Sequence, residues 1–72
     1  MTEKFATGTW VAWNWGNGRP EGKVVESAAD RIEKTINGTP QARNGTDDNP
    51  AYVLEQADGQ TVLKLHSELE KA

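Results

Sequence analysis

The sequence predicts an all-β fold, a small five-stranded antiparallel barrel with a short C-terminal helical turn, and three observations support it. The chain has only 72 residues and three tryptophans, so a few large side chains must form its core. Short runs of strand-forming residues alternate with Gly, Asn, Asp and Pro turn signals. A closed sheet hides the edges that an open sheet exposes. We expect one domain over residues 1–72.

The first predicted strand covers residues 9–15 and contains every tryptophan. Strict alternation places Val11, Trp13 and Trp15 on one face and turns Trp10 to the other. We expect Val11 and Trp13 to form the nucleus of the core. An outward indole at Trp10 favours contact with a partner or with a neighbouring strand.

A hairpin loop is predicted at residues 16–19, because Gly16 and Gly18 accept backbone angles that other residues avoid. Gly22 opens the second strand. Its missing side chain would let a large indole of a neighbouring strand lie over the backbone.

Residues 24–36 are ambiguous, because their apolar side chains recur at helical spacing. The Asn37-Gly38 pair is typical of a two-residue hairpin turn, and such a turn requires a strand on each side. The prediction is therefore a strand, a bend, a second strand and its hairpin partner, at residues 23–27, 28–30, 31–36 and 39–43.

The C-terminal half is predicted as a second hairpin that follows the loop at residues 44–50. Its strands cover residues 51–57 and 60–65, with a tight turn at Asp58-Gly59. In the tail, Ser67 and Glu70 have capping-box spacing, which predicts one helical turn that places Leu69 under the sheet.

Two segments carry a resemblance to a known family. Residues 13–18 read Trp-Asn-Trp-Gly-Asn-Gly, and residues 48–52 read Asp-Asn-Pro-Ala-Tyr. Together with residues 21–24 and 63–69, they resemble the hypervirulence-associated Tudor domain family, a bacterial and fungal domain of unknown function. The resemblance implies an SH3-like, Tudor-like barrel in which a long second strand replaces the helix that periodicity suggests.

The resemblance also implies a binding module with aromatic side chains clustered at one barrel end. Such rings attract a methylated ammonium or guanidinium group by cation–π interaction. The candidate cage residues are Trp10, Trp15 and Tyr52, with core packing as the alternative for Trp15. The candidate acidic rim consists of Asp47, Asp48 and Asp58.

Composition argues against several functions. The chain has no cysteine, which excludes disulfides and thiolate metal sites and favours a cytoplasmic protein. With one histidine, His66, it lacks a nucleophile-base pair, so we expect no enzyme and no cofactor, and a locally hydrogen-bonded His66. The loop at residues 47–49 lacks the oxygen ligands of a calcium site, and no metal is expected.

The expected partner is a protein or peptide. A net charge of −3 disfavours nucleic acid, although SH3-like barrels also serve as nucleic-acid- or ribosome-associated modules. That alternative would use Lys23, Arg31, Lys34 and Arg43. The polar N-terminus and the absence of a long apolar run predict no membrane contact, and we expect a monomer. The third hypothesis is that the chain is a structural protein without a ligand.

Overall fold

The computed structural model describes residues 5–14, 16–36 and 38–72, and over these residues the fold consists of seven strands and one 3₁₀ turn. The strands are β1 (Trp10–Ala12), β2 (Glu21–Ala28), β3 (Arg31–Ile36), β4 (Thr39–Asn44), β5 (Ala51–Glu55), β6 (Thr61–Leu65) and β7 (Glu70–Lys71). The 3₁₀ turn is His66–Glu68. None of the described residues forms a helix long and apolar enough to cross a membrane.

The strands form two antiparallel sheets. Five strands lie in the order β6-β5-β2-β1-β7, and β3 pairs with β4 as a separate hairpin that packs against β6. The predicted all-β class is confirmed, but the predicted closed five-stranded barrel is not. One reason lies in β4, where Pro40 has no N–H to donate and the Ala42 carbonyl oxygen accepts a hydrogen bond from Arg43 Nη1 at 2.9 Å.

The ambiguous segment is extended, as the hairpin signal predicted. β2 and β3 flank a bend at residues 29–30, and Ile36 pairs with Thr39 across a turn in which Gly38 has a φ of +78°. Asn37 lies outside the described residues. The apparent helical spacing has a physical cause, because a register shift between Val24 and Glu26 changes which face the following residues occupy.

β1 is shorter than predicted and ends at Ala12. The Trp13 N–H then donates to the Pro20 carbonyl oxygen at 3.2 Å, which turns the chain into the loop. Ala12 is fully buried although alternation placed it on the outer face. Its short side chain lies in register between Glu21 of β2 and Glu70 of β7.

β5 lies between β6 and β2 in the five-stranded sheet, and its first four residues are buried on both faces. Because it contributes to both core clusters, we call it the central strand. Tyr52 and Leu54 belong to one cluster, while Ala51 and Val53 face the other. The first cluster is completed by Val11, Trp13 and Val24, and the second by Ile32 and Leu63. The predicted core nucleus of Val11 and Trp13 is therefore confirmed.

Gly22 lies under the Trp13 indole, as predicted from its missing side chain. A Cβ atom built on Gly22 would lie 3.4 Å from Trp13 Cη2 and 3.2 Å from Leu54 Cβ. The Leu54 Cβ atom cannot move away easily, because Leu54 belongs to the central strand.

The variant Gly22→Ala is accordingly expected to lower the free energy of unfolding by about 1 kcal/mol, through overpacking against Leu54 and Trp13. Urea denaturation followed by tryptophan fluorescence measures the effect. A variant as stable as the parent chain would contradict the packing described here.

The C-terminal turn starts two residues earlier than predicted, with Leu65 in place of Ser67 as its N-cap. Glu68 Oε1, not Glu70, accepts a hydrogen bond across the turn, from the Leu65 N–H at 2.8 Å. The Ser67 N–H donates to Asn49 Oδ1 at 2.8 Å, so the preceding loop holds the turn in place. The predicted Ser67–Glu70 capping box is wrong, while Leu69 packs against the first core cluster as expected.

Candidate ligand-binding cleft

An open cleft with a volume of about 460 Å³ lies beside the exposed indole of Trp10. This volume falls within the range of roughly 300–1,000 Å³ that is typical of ligand sites. Trp10 retains 43% of its surface in solvent, although tryptophan is highly buried on average. The residues that line the cleft are Trp10, Arg19, Glu21, Gln56, Ala57 and Asp58.

One wall of the cleft comes from the β1–β2 hairpin. Antiparallel pairing sets Trp10 opposite Lys23 and Ala12 opposite Glu21. Trp10 and Ala12 share a face, so Glu21 lies diagonally across from the indole on the same face of the sheet. The end of the hairpin loop adds Arg19.

The other wall is the turn between β5 and β6. Its backbone is closed by hydrogen bonds from the Gln56 N–H to the Gln60 carbonyl and from the Gly59 N–H to the Gln56 carbonyl, both at 2.8 Å. Asp58 Oδ1 accepts from the Gln60 N–H at 3.0 Å. This bond holds the Asp58 carboxylate in a defined position, because one oxygen is tied to the backbone of its own turn.

The charges of the cleft favour a cation. Glu21 and Asp58 each contribute a carboxylate, and Arg19, which adds a cation to the lining, has its Nε 3.2 Å from Glu70 Oε1. Glu70 offsets the charge of Arg19, and Glu55 lies in register with Lys23, the cation opposite Trp10, so Glu21 and Asp58 leave the cleft with an excess of negative charge. A positive group entering the cleft would meet the face of an indole and two acidic side chains.

The structure brings together two of the predicted site residues, Trp10 and Asp58. Asp47 and Asp48 lie in the loop that precedes β5, whereas Asp58 lies in the turn that follows it. At about 3.3 Å per residue, β5 separates these two ends by roughly 17 Å. Trp15 lies outside the described residues.

Tyr52 lies in the core, whereas a side chain that binds a ligand needs access to solvent. Its side chain is fully buried. The Phe5 N–H donates to its hydroxyl oxygen at 3.1 Å, and the hydroxyl lies 3.1 Å from Nδ1 of His66. Because β5 is covered on both faces, the Tyr52 ring packs inside the core and does not line the Trp10 cleft.

Other cleft residues were not anticipated from the sequence, namely Arg19, Glu21, Gln56 and Ala57. They flank turns that were predicted, but nothing in the sequence places the two turns side by side. The pairing of β1 with β2 was the available signal for Glu21, since it sets the residue across from Ala12.

Three of the four basic residues considered for nucleic acid lie beside carboxylates. The closest N–O distances are 3.7 Å for Arg31–Glu33, 3.6 Å for Lys34–Glu26 and 3.4 Å for Arg43–Glu68. Lys23 lies on β2, in register with Glu55. Within the part of the chain that the structure describes, no cluster of three metal-ligating side chains occurs.

Comparison with known proteins supports one assignment. A family model described as the Tudor domain of hypervirulence-associated proteins matches residues 8–69. Searches of curated proteins and of solved structures gave no match. The matched residues include the Trp10 strand, the central strand and the C-terminal turn. On this match the chain belongs to the Tudor domain family of hypervirulence-associated proteins.

Proposed function

We propose that the protein is a non-catalytic binding module whose Trp10 cleft binds a positively charged side chain of a protein or peptide. The observation that carries this proposal is the exposed indole of Trp10 in one cleft with the carboxylates of Glu21 and Asp58. A cation over an indole face contributes roughly 0.5–2 kcal/mol. Two carboxylates within the same cleft add attraction for the same charge.

The charge distribution supports a peptide over a nucleic acid. Phosphate binding requires cations that are available to the backbone, and Arg31, Lys34 and Arg43 each lie within 4 Å of a carboxylate. Nucleic-acid or ribosome association is the competing proposal, and strongly salt-dependent binding to RNA or DNA at the β3–β4 hairpin would favour it.

The preferred cation is proposed to be a lysine or arginine side chain, including its methylated forms. Each added methyl group spreads the positive charge and gives apolar surface that can contact the indole of Trp10. Asp58 and Glu21 in turn accept hydrogen bonds from any N–H that remains. A methylation series at one peptide position therefore separates the aromatic contribution from the acidic one.

The setting proposed for this module is the cytoplasm, in line with the absence of cysteine. We propose that it acts as a monomer of 7.9 kDa. Sedimentation equilibrium measures the oligomeric state directly, with a dimer mass as the contrary result.

Binding of fluorescently labelled lysine and arginine peptides tests the proposed site. We expect Trp10→Ala to weaken binding about tenfold, because the indole supplies the cation–π contact. Asp58→Asn should weaken it about threefold, since an asparagine oxygen still accepts from the Gln60 N–H while the charge is lost. Asp47→Asn is the matched control, as it removes the same charge outside the cleft.

Parent-like affinity in Trp10→Ala would overturn the proposed site. Equal weakening by Asp47→Asn and Asp58→Asn would show that only the overall negative charge attracts the peptide. Circular dichroism of each variant verifies that its fold is intact.

A further inference from the structure

Arg19 brings a second charge to the Trp10 cleft, and only part of it is engaged. A guanidinium group has five N–H donors. The Nε of Arg19 donates to Glu70 Oε1 at 3.2 Å, and its two terminal nitrogens have no hydrogen-bond partner among residues 5–14, 16–36 and 38–72. The side chain is 45% exposed, so these nitrogens are accessible to a ligand.

We infer that the Trp10 cleft selects peptides that carry a carboxylate next to the cationic side chain. This inference rests on the proposed function and adds a second contact to it. The cation lies between the indole and the carboxylates of Glu21 and Asp58, and the neighbouring carboxylate pairs with Arg19. The planar guanidinium group suits this task, because its paired N–H groups match the two oxygens of a carboxylate.

The ion pair between Arg19 and Glu70 is weak enough for a ligand carboxylate to replace Glu70 as the partner of Arg19. Both side chains are about half exposed, and exposed ion pairs contribute little net stability. Glu70 also lines a second, smaller cleft of about 220 Å³ beside Trp13. A Glu70 carboxylate that releases Arg19 therefore stays solvated, and no unpaired charge becomes buried.

A peptide has two sources of this carboxylate. One is a free C-terminus on the lysine itself, and the other is an aspartate side chain next to the lysine. The cleft recognises the same chemistry in each case. Three peptides separate the sources: acetyl-Gly-Gly-Lys as the free acid, the same peptide as its amide, and acetyl-Gly-Lys-Asp as its amide.

Isothermal titration or NMR titration of these three peptides tests the inference. We expect at least one carboxylate peptide to bind about threefold tighter than the neutral-ended amide. Arg19→Gln should abolish this preference, so that the carboxylate peptides and the amide bind this variant equally well. Glu70→Gln should enlarge the preference, because it removes the carboxylate that competes for Arg19. Whichever of the free acid and the aspartate peptide binds more tightly identifies the source of the carboxylate.

Arg31→Gln is the matched control, since Arg31 is an exposed arginine outside the cleft that also lies beside a carboxylate. The inference is overturned if all three peptides bind equally, or if Arg31→Gln lowers the preference as much as Arg19→Gln. In either case, affinity that still depends on Trp10 leaves the proposed function standing. Affinity that is independent of Trp10, or no binding at all, overturns the proposed function itself.

Discussion

Replacing Gly45 with alanine is expected to lower the free energy of unfolding by about 3 kcal/mol, the upper end of overpacking effects. An added Cβ atom would lie 2.5 Å from the Ala28 carbonyl oxygen and 2.7 Å from the Ala51 nitrogen. Both are backbone atoms that cannot rotate away. Relief requires β2 and β5 to move apart, although β5 forms the centre of the core.

The position of Gly45 explains why the expected effect is so large. It directly follows β4, and its N–H donates to the Asp30 carbonyl oxygen at 3.0 Å. Three chain segments therefore meet at this residue: the end of β2, the bend at residues 29–30 and the start of β5. Only a residue without a side chain allows them to approach this closely.

Gly59→Ala is the control for this prediction. Gly59 has a φ of +89°, and nothing lies within 4 Å of a Cβ atom built on it. Alanine there introduces backbone strain without a clash and should cost about 1 kcal/mol. Urea denaturation compares the two variants, and a Gly45→Ala variant no less stable than Gly59→Ala would contradict the close packing at Gly45.

Tyr52→Phe is expected to lower the free energy of unfolding by about 2 kcal/mol, because two polar groups lose their partner. The hydroxyl oxygen accepts from the Phe5 N–H and forms a second hydrogen bond with Nδ1 of His66. These bonds join the N-terminal segment, the central strand and the 3₁₀ turn. The three rings also pack together, with the centroids of Phe5 and His66 4.8 Å apart.

Two measurements test this prediction. Urea denaturation gives the loss of stability, and hydrogen exchange should show faster exchange of the Phe5 amide in Tyr52→Phe. Ser67→Ala is the matched control, since it removes an exposed hydroxyl and should change stability by less than about 0.5 kcal/mol. If Tyr52→Phe matches this control and the Phe5 amide keeps its protection, the hydroxyl does not join these segments.

Much of the fold was predictable because its local signals are strong. Asn37-Gly38 correctly implied a hairpin in a segment whose periodicity suggested a helix. Gly22 correctly implied close packing of an indole. The closed barrel was wrong, because closure depends on hydrogen bonds between strands that are distant in the sequence. The sequence contains Pro40, but whether its missing N–H prevents pairing depends on which edge of β4 faces the neighbouring strand.

The site was predictable only in part, because a cleft is assembled from distant turns. Alternation correctly turned Trp10 outward, and Asp58 was one of three acidic candidates. The burial of Tyr52 could not be predicted, because an aromatic residue after the Asp-Asn-Pro segment has the same local sequence whether its strand is buried on both faces or on one. Its contact with His66 spans 14 residues, and no local pattern predicts it.

The most direct test of the Trp10 cleft is a chemical-shift map of the protein during titration with a lysine or methyl-lysine peptide. We predict saturable shifts of the Trp10 indole N–H and of the backbone amides of Arg19, Glu21 and residues 56–58, with little change in Tyr52 or in residues 46–49. Shifts confined to residues 31–44, or no shifts at saturating peptide, would contradict a cation-binding cleft at Trp10.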